Sequence, residues 1–175
     1  GRWNYMDSKA RREYIKKVLN NAVKPKKGQE LAEELGVTRQ VIVKDIAILR
    51  ASGIDIIATP EGYMLSKKEK NDIERIVAVN HSREEIKDEL EIIVKYGGIV
   101  KDVVVEHSLY GEIKAMLMLK TLYDVQSFVN KIEAYQAEPL SSLTRGVHLH
   151  TIEAENEKDM EKIIHDLKSK GYLIE

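Results

Sequence analysis

The stretch that decides the fold is Thr144–Glu155, TRGVHLHTIEAE. From Gly146 to Ala154 it reads as a β-strand, and the two-residue period places His148, His150, Ile152 and Ala154 on one face, with Val147 and Leu149 on the other. Working outward, IERIVAVNH (73–81) reads as a strand, and SREEIKDELEIIVKYGG (82–98) as a helix capped by Ser82 and ended by Gly97 and Gly98. IVKDVVVEH (99–107) and GEIKAMLML (111–119) are β-rich runs joined by the short SLY into a hairpin. DVQSFVNKIEAY (124–135) reads as a helix capped by Asp124 and buried through Val125, Phe128, Val129 and Ile132. After the deciding strand, NEKDMEKIIHDLKSKG (156–171) predicts a helix with Met160, Ile163, Ile164 and Leu167 inward, and YLIE a terminal strand or tail. The order β-α-β-β-α-β is the ferredoxin-like split unit, here with an extra C-terminal helix.

That unit predicts a sheet ordered 4-1-3-2, with the last strand antiparallel beside the first. The end of the first strand, His81, then meets the beginning of the last, where His148 and His150 share a face. His107, ending the second strand, is directed to the opposite end of the sheet, and His165 lies among charges on the last helix. On the helix after His81, Ile86, Leu90, Ile92 and Ile93 define an apolar arc. Glu89 falls inside this arc, away from the outer Glu84, Asp88 and Glu91. A carboxylate held toward a core needs a partner. His81, Glu89, His148 and His150 thus make a set of three nitrogens and one oxygen suited to one divalent transition metal such as nickel, zinc or iron.

The remaining sequence is of a different kind. Residues 1–68 carry 14 Lys and Arg against 8 Asp and Glu, whereas residues 69–175 carry 14 against 21, so a basic N-terminal module precedes an acidic one. Met6 reads as the initiator, and two domains are predicted, 6–68 and 69–175. The chain has no cysteine, which excludes disulfides and thiolate chemistry, and no apolar run long enough to span a membrane. A cytoplasmic protein is expected.

In the basic module, SKARREYIKKVLNNAV (8–23) predicts a helix capped by Ser8, with Ile15, Val18, Leu19 and Ala22 inward. QELAEELG (29–36) predicts a short helix ending at Gly36, and VTRQVIVKDIAILRASG (37–53) a third, capped by Thr38 and buried through Ile42, Ile46 and Leu49. The opposite face of that third helix holds Gln40, Val43, Lys44 and Ala47, with Arg39 in its first turn. IDIIATPEGYML (54–65) follows as a hairpin turning at Pro60, Glu61 and Gly62. A generic helical bundle would also use three helices. The order of helix, helix with glycine, helix and hairpin is instead that of a winged helix-turn-helix, whose outward third helix reads the major groove of double-stranded DNA. Thr38, Arg39, Gln40, Val43 and Lys44 are the candidate DNA-binding residues. Arg and Gln offer bidentate bonds to guanine and adenine, Lys reaches phosphate or guanine, and Val touches the thymine methyl.

RQVIVKDIAILRASGIDIIATPEGY (39–63), VKDVVVEHSLYGEI (100–113) and LSSLTRGVHLHT (140–151), in this order, resemble the bacterial niacin-responsive transcriptional repressors that join a helix-turn-helix to a three-histidine (3H) domain. The resemblance implies a homodimeric repressor of niacin-uptake or NAD-biosynthesis genes, bound to operator DNA, with nicotinic acid as co-repressor. The family's metal ligands match His81, Glu89, His148 and His150. Ser108 departs from the proline that related chains often carry after the histidine, which touches the hairpin and the role of His107.

A ligand-sensing repressor competes with two other readings. A metal-sensing repressor without an organic ligand uses the same residues. A metal-dependent hydrolase needs a general base beside the four ligands, and no spare His or carboxylate is clearly placed there. For the ligand, EPLSSLTRG (138–146) offers the Ser141, Ser142 and Thr144 hydroxyls and the Arg145 cation to a carboxylate, while a pyridine nitrogen takes an open metal position. The sheet face carrying Ile76, Ala78, Val147 and Leu149 is apolar, and the expected cover is a second copy of the acidic module.

Overall fold

The computed structural model describes residues 6–67 and 71–174. Residues 1–5, residues 68–70 across the boundary between the two predicted modules, and Glu175 of the tail lie outside the described residues. The chain divides into two compact units between Lys67 and Lys68. No helix among the described residues is long and apolar enough to cross a membrane.

The first unit contains α1 (Ser8–Asn21), α2 (Gly28–Leu35) and α3 (Arg39–Ala51), followed by a hairpin of β1 (Ile56–Thr59) and β2 (Gly62–Leu65). Asp7, not Ser8, caps α1, its carboxylate accepting the Ala10 amide at 2.7 Å. Thr38 caps α3 by accepting the Val41 amide at 3.3 Å, and α2 ends on Gly36 in the left-handed region (φ 64°). Ile15, Leu19, Leu31, Ala32, Ile42, Ile46, Leu49 and Ile56 form one core. The hairpin is tied to the chain before α2 through reciprocal bonds between Lys26 and Tyr63, both 2.8 Å. At Gly62 (φ 130°) a Cβ would stand 2.5 Å from the Lys26 carbonyl oxygen, so the wing docks through backbone that no side chain can share.

One residue inside this core is ionic. Asp45 on α3 is 1% exposed, and Arg11 of α1 grips it with Nε at 2.5 Å and a second nitrogen at 3.1 Å. Arg12 stands 3.6 Å away. The pair fixes α3 against α1 where the apolar stripe alone would allow sliding.

The second unit contains β3 (Ile73–Asn80), α4 (Ile86–Lys95), β4 (Ile99–His107), β5 (Gly111–Leu119), α5 (Leu122–Ala134), β6 (Val147–Ala154) and α6 (Glu157–Ser169). The α+β class and the succession of elements agree with the sequence reading. Thr121, rather than Asp124, caps α5; Asp124 is the third residue of a capping box with it.

The sheet order differs from the predicted one. It runs β3-β6-β4-β5, antiparallel throughout, so the last strand lies between the first and second, not outside the first. Both orders use the same succession of elements, so periodicity does not separate them. Edge chemistry does. Glu74 and Arg75 on β3, and Glu112 and Lys114 on β5, suit edges, while the valine run of β4 suits a strand paired on both sides. Because β3 and β4 each run antiparallel to β6, they are parallel to one another. His107 therefore lies at the same end of the sheet as His81 and His148, not at the opposite end.

One face of the sheet packs on all three helices in a single core that includes Val79, Ile93, Val100, Val125, Ile152, Met160, Ile163 and Leu167. The other face is open: Ile76 is 67%, Val147 41% and Leu149 36% exposed.

Asp45→Ala leaves two guanidinium groups facing each other without their shared acceptor. It is expected to cost about 1–3 kcal/mol, read as a lower urea midpoint. Arg12→Ala, which removes only the longer and more exposed contact, is expected to stay within about 0.5 kcal/mol of the parent.

Candidate metal centre, adjoining cleft and nucleic-acid face

The centre is assembled from three elements. His81 follows the last residue of β3. Next, Ser82 forms a capping box with Glu85, its amide and hydroxyl both 2.9 Å from Glu85 Oε1, and this turns the chain into α4. Glu89 then falls on the inner face of α4 and is 1% exposed. The β3–β6 register pairs Val79 with His148 and Val77 with His150, which turns both imidazoles inward, each 3% exposed.

The ring nitrogens are oriented by backbone. His81 Nδ1 lies 2.8 Å from the Ser82 carbonyl oxygen, His148 Nδ1 2.7 Å from that of Gly146, and His150 Nδ1 2.6 Å from that of Asp102. A carbonyl oxygen accepts only, so each Nδ1 carries a proton and each Nε2 faces the centre, with a lone pair there whenever the ring is neutral. Those lone pairs converge. His148 Nε2 lies 3.1 Å from His150 Nε2, His150 Nε2 lies 2.6 Å from Glu89 Oε1, and His81 Nε2 closes on Glu89 Oε2. The ligating atoms of His81, Glu89 and His148 lie within 4.8 Å of one another.

Three imidazole nitrogens and a carboxylate aimed at one buried point require positive charge between them. A proton is one source and a divalent metal the other. The donor set, with every imidazole oriented through its far nitrogen, fits a metal. Burial tends to lift the Glu89 carboxyl, but the charge and hydrogen bonds of His150 and His148 outweigh it and hold it lowered to about 2. Burial tends to lower His150, while the Glu89 charge and hydrogen bond and the Asp102 carbonyl raise it, with a net upward shift.

Asp102 escaped the sequence reading. Its carbonyl orients His150 and its carboxylate accepts the Thr151 amide at 2.8 Å, across a register shift in β4. The signal was present as a lone carboxylate in the run VKDVVV. His107 stands apart, its Nδ1 accepting the Leu109 and Tyr110 amides at 3.1 and 3.2 Å, so it braces the hairpin turn.

His81 also borders a cleft of about 290 Å³ lined by Ser82, Arg83, Ser141, Ser142, Arg145 and Gly146. Three of the four candidate ligand residues, Ser141, Ser142 and Arg145, thus come together. Thr144 does not join them: its hydroxyl donates to the Val147 carbonyl oxygen, with the Ser141 carbonyl oxygen 3.3 Å away inside the turn. Arg83, overlooked in the sequence, adds a second cation and pairs with Glu138 at 3.3 Å. Arg145 holds φ 56° and Gly146 φ 95°. A Cβ at Gly146 would stand 2.6 Å from Asn80 Oδ1 and 2.7 Å from the His81 carbonyl oxygen, so the turn packs directly on the chain at His81.

In the first unit, Arg39, Gln40, Val43 and Lys44 are all exposed on α3. Thr38 is exposed too, but its oxygen is engaged as the helix cap, which makes its first role structural.

Residues 74–175 match the profile of the 3H domain, and residues 11–64 that of an HTH domain. The chain is 50% identical over 161 residues to the probable transcription repressor NiaR of Thermotoga maritima, covering 92% of this chain and 91% of that protein. It is 40% identical over 167 residues to the transcription repressor NadR of Bacillus subtilis, covering 94% and 93% respectively.

Because His150 holds its proton more firmly than a free imidazole, a metal ion must displace that proton. Nickel or zinc uptake is therefore expected to release protons and to weaken as pH falls, with affinity still rising above the ordinary histidine value of 6.5. Calorimetry in buffers of different ionisation enthalpy measures the release; a metal affinity independent of pH between about 6 and 8 contradicts this account.

Proposed function

Since the chain belongs to the family of helix-turn-helix transcription repressors that carry a 3H domain, we propose that residues 6–68 bind double-stranded operator DNA and residues 69–175 adjust that binding in response to nicotinic acid. The protein is a repressor, not an enzyme. The genes it controls, on this reading, are those of niacin uptake or NAD biosynthesis.

The observation that carries the proposal is the convergence of three backbone-oriented imidazoles on the buried Glu89, beside a cleft that shares His81 and contains two arginines. His81, Glu89, His148 and His150 would hold one nickel, zinc or iron ion, which supplies a Lewis-acidic centre for a neutral nitrogen donor. Arg145 and Arg83 give a carboxylate charge-assisted hydrogen bonds, and the Ser141 and Ser142 hydroxyls complete its surroundings. A pyridine carboxylate has both groups. Its binding raises DNA affinity only by favouring one arrangement of the protein over others, in proportion to its differential affinity for them.

The open sheet face is the proposed homodimer interface. Ile76, Val147 and Leu149 are too exposed and too apolar for a face that meets only water, and the same patch on a second copy would complete a two-fold contact. A dimer presents two copies of α3 to a dyad-related operator.

Operator binding measured with metal and nicotinate varied independently tests the sensing model. Tight binding is expected only with both; full response to metal alone marks a metal sensor, and undiminished nicotinate affinity in verified metal-free protein rejects coordination. Gln40→Ala is expected to relax preference at one base position by about 1–3 kcal/mol, while Lys44→Ala weakens binding to all sequences, as footprinting and competition assays would resolve. Ile76→Glu combined with Leu149→Glu is expected to turn the dimer into a monomer in sedimentation without loss of metal; a persisting dimer places the interface elsewhere.

A further inference from the structure

After α6 the chain turns at Gly171 (φ 76°), with the Gly171 amide donating to the Lys168 carbonyl oxygen at 2.9 Å and the Tyr172 amide to that of Leu167 at 3.0 Å. It then runs along the outer edge of β3. The Asn80 amide donates to the Tyr172 carbonyl oxygen and the Ile174 amide to that of Ala78, both at 2.9 Å, with Leu173 paired to Val79. This short added strand occupies the edge of β3 up to the residue before His81.

Tyr172 is the side chain that this arrangement brings inward, 5% exposed. Its ring meets the His81 ring edge-on, with centroids 5.6 Å apart and planes at 69°. Its hydroxyl donates to Asp88 Oδ2 at 2.6 Å, and Asp88 directly precedes Glu89 on α4. His148 and His150 are held by a strand paired on both sides, but His81 follows the end of an edge strand and Glu89 sits on a separate helix. One tyrosine meets the His81 ring and bonds the residue that precedes Glu89.

We propose that Tyr172 is a positioning residue of the metal centre, holding the His81 ring and the Glu89 turn of α4 together so that their donor atoms face the same point. The inference rests on the metal-binding reading above and assigns the C-terminal segment a part in it. Residues that orient metal ligands from outside the ligand set commonly change metal affinity by about 10–100-fold when removed.

The test is nickel and zinc binding by the full chain, followed by calorimetry and by the rate of metal loss to a chelator, for Tyr172→Ala, Tyr172→Phe and the control Tyr96→Ala. Tyr96 also joins α4 to α6, through a 2.5 Å bond to Asp166, but has no contact with the imidazoles, so its loss reports general destabilisation. Tyr172→Ala is expected to weaken both metals by about 10–100-fold and to speed their loss. Tyr172→Phe, which keeps the ring edge against His81 but loses the bond to Asp88, should fall between the parent and Tyr172→Ala, and Tyr96→Ala should keep the affinity while lowering the urea midpoint. If Tyr172→Ala does not fold, Tyr172→Leu, which keeps buried bulk without the ring edge, carries the same comparison. Parental metal affinity in Tyr172→Ala or Tyr172→Leu, or an equal loss in Tyr96→Ala, overturns the role. A parent protein that takes up neither metal removes the centre itself and the role with it.

Discussion

Glu89 is drawn out of water on a helix whose inner face is otherwise Ile86, Leu90, Ile92 and Ile93, and a carboxylate so placed needs compensating positive charge. The C-terminal unit is organised to supply it. Each of the three imidazoles around Glu89 uses its far nitrogen on a main-chain carbonyl, so the orientation of the centre is written into backbone geometry. The Ser82 carbonyl belongs to the start of a helix, the Gly146 carbonyl to the start of β6, and the Asp102 carbonyl to the neighbouring strand. The last of these explains why strand order matters to chemistry. Only with β4 beside β6 does a carbonyl of β4 reach His150.

The first unit contains a counterpart that behaves differently. Asp45 is as buried as Glu89, yet its partners are arginines, which stay charged at every accessible pH, so the α1–α3 contact is permanent. Histidines lose their charge near neutrality and bind metals. One unit thus sets its buried carboxylate among permanent cations beneath the exposed face of α3, the other among imidazoles, whose charge is not permanent.

The sequence made much of this legible because the governing signals were periodic. The α-helices and strands of the second unit follow from apolar spacing and terminal residues, and the inward turn of His148, His150 and Glu89 follows from the same counting, whereas the 3-10 turn at Leu140–Thr144 does not. What escaped was set by pairing between distant strands, which local spacing does not encode. Strand order, with it the end of the sheet at which His107 lies, and the part of Asp102 belong to this class. Edge charges on β3 and β5 were the available clue. Thr144 and Arg83 show the limit in another way: a turn hydroxyl satisfied by a nearby carbonyl and a cation just past a helix cap look alike in a string of letters, and only the folded turn separates them.

The packing of Gly146 against Asn80 and the carbonyl of His81 fixes where β6 begins relative to β3. A strand has two faces and no intermediate state, so a slip of one residue would carry His148 and His150 together to the open face and bring Val147 and Leu149 in against Glu89. A single inserted or deleted residue between Gly146 and His148 would therefore not loosen the centre by degrees. It would evert it, exchanging an interior of converging imidazoles for an apolar one with a buried, uncompensated carboxylate, and the glycine that admits no side chain is the lock on that exchange.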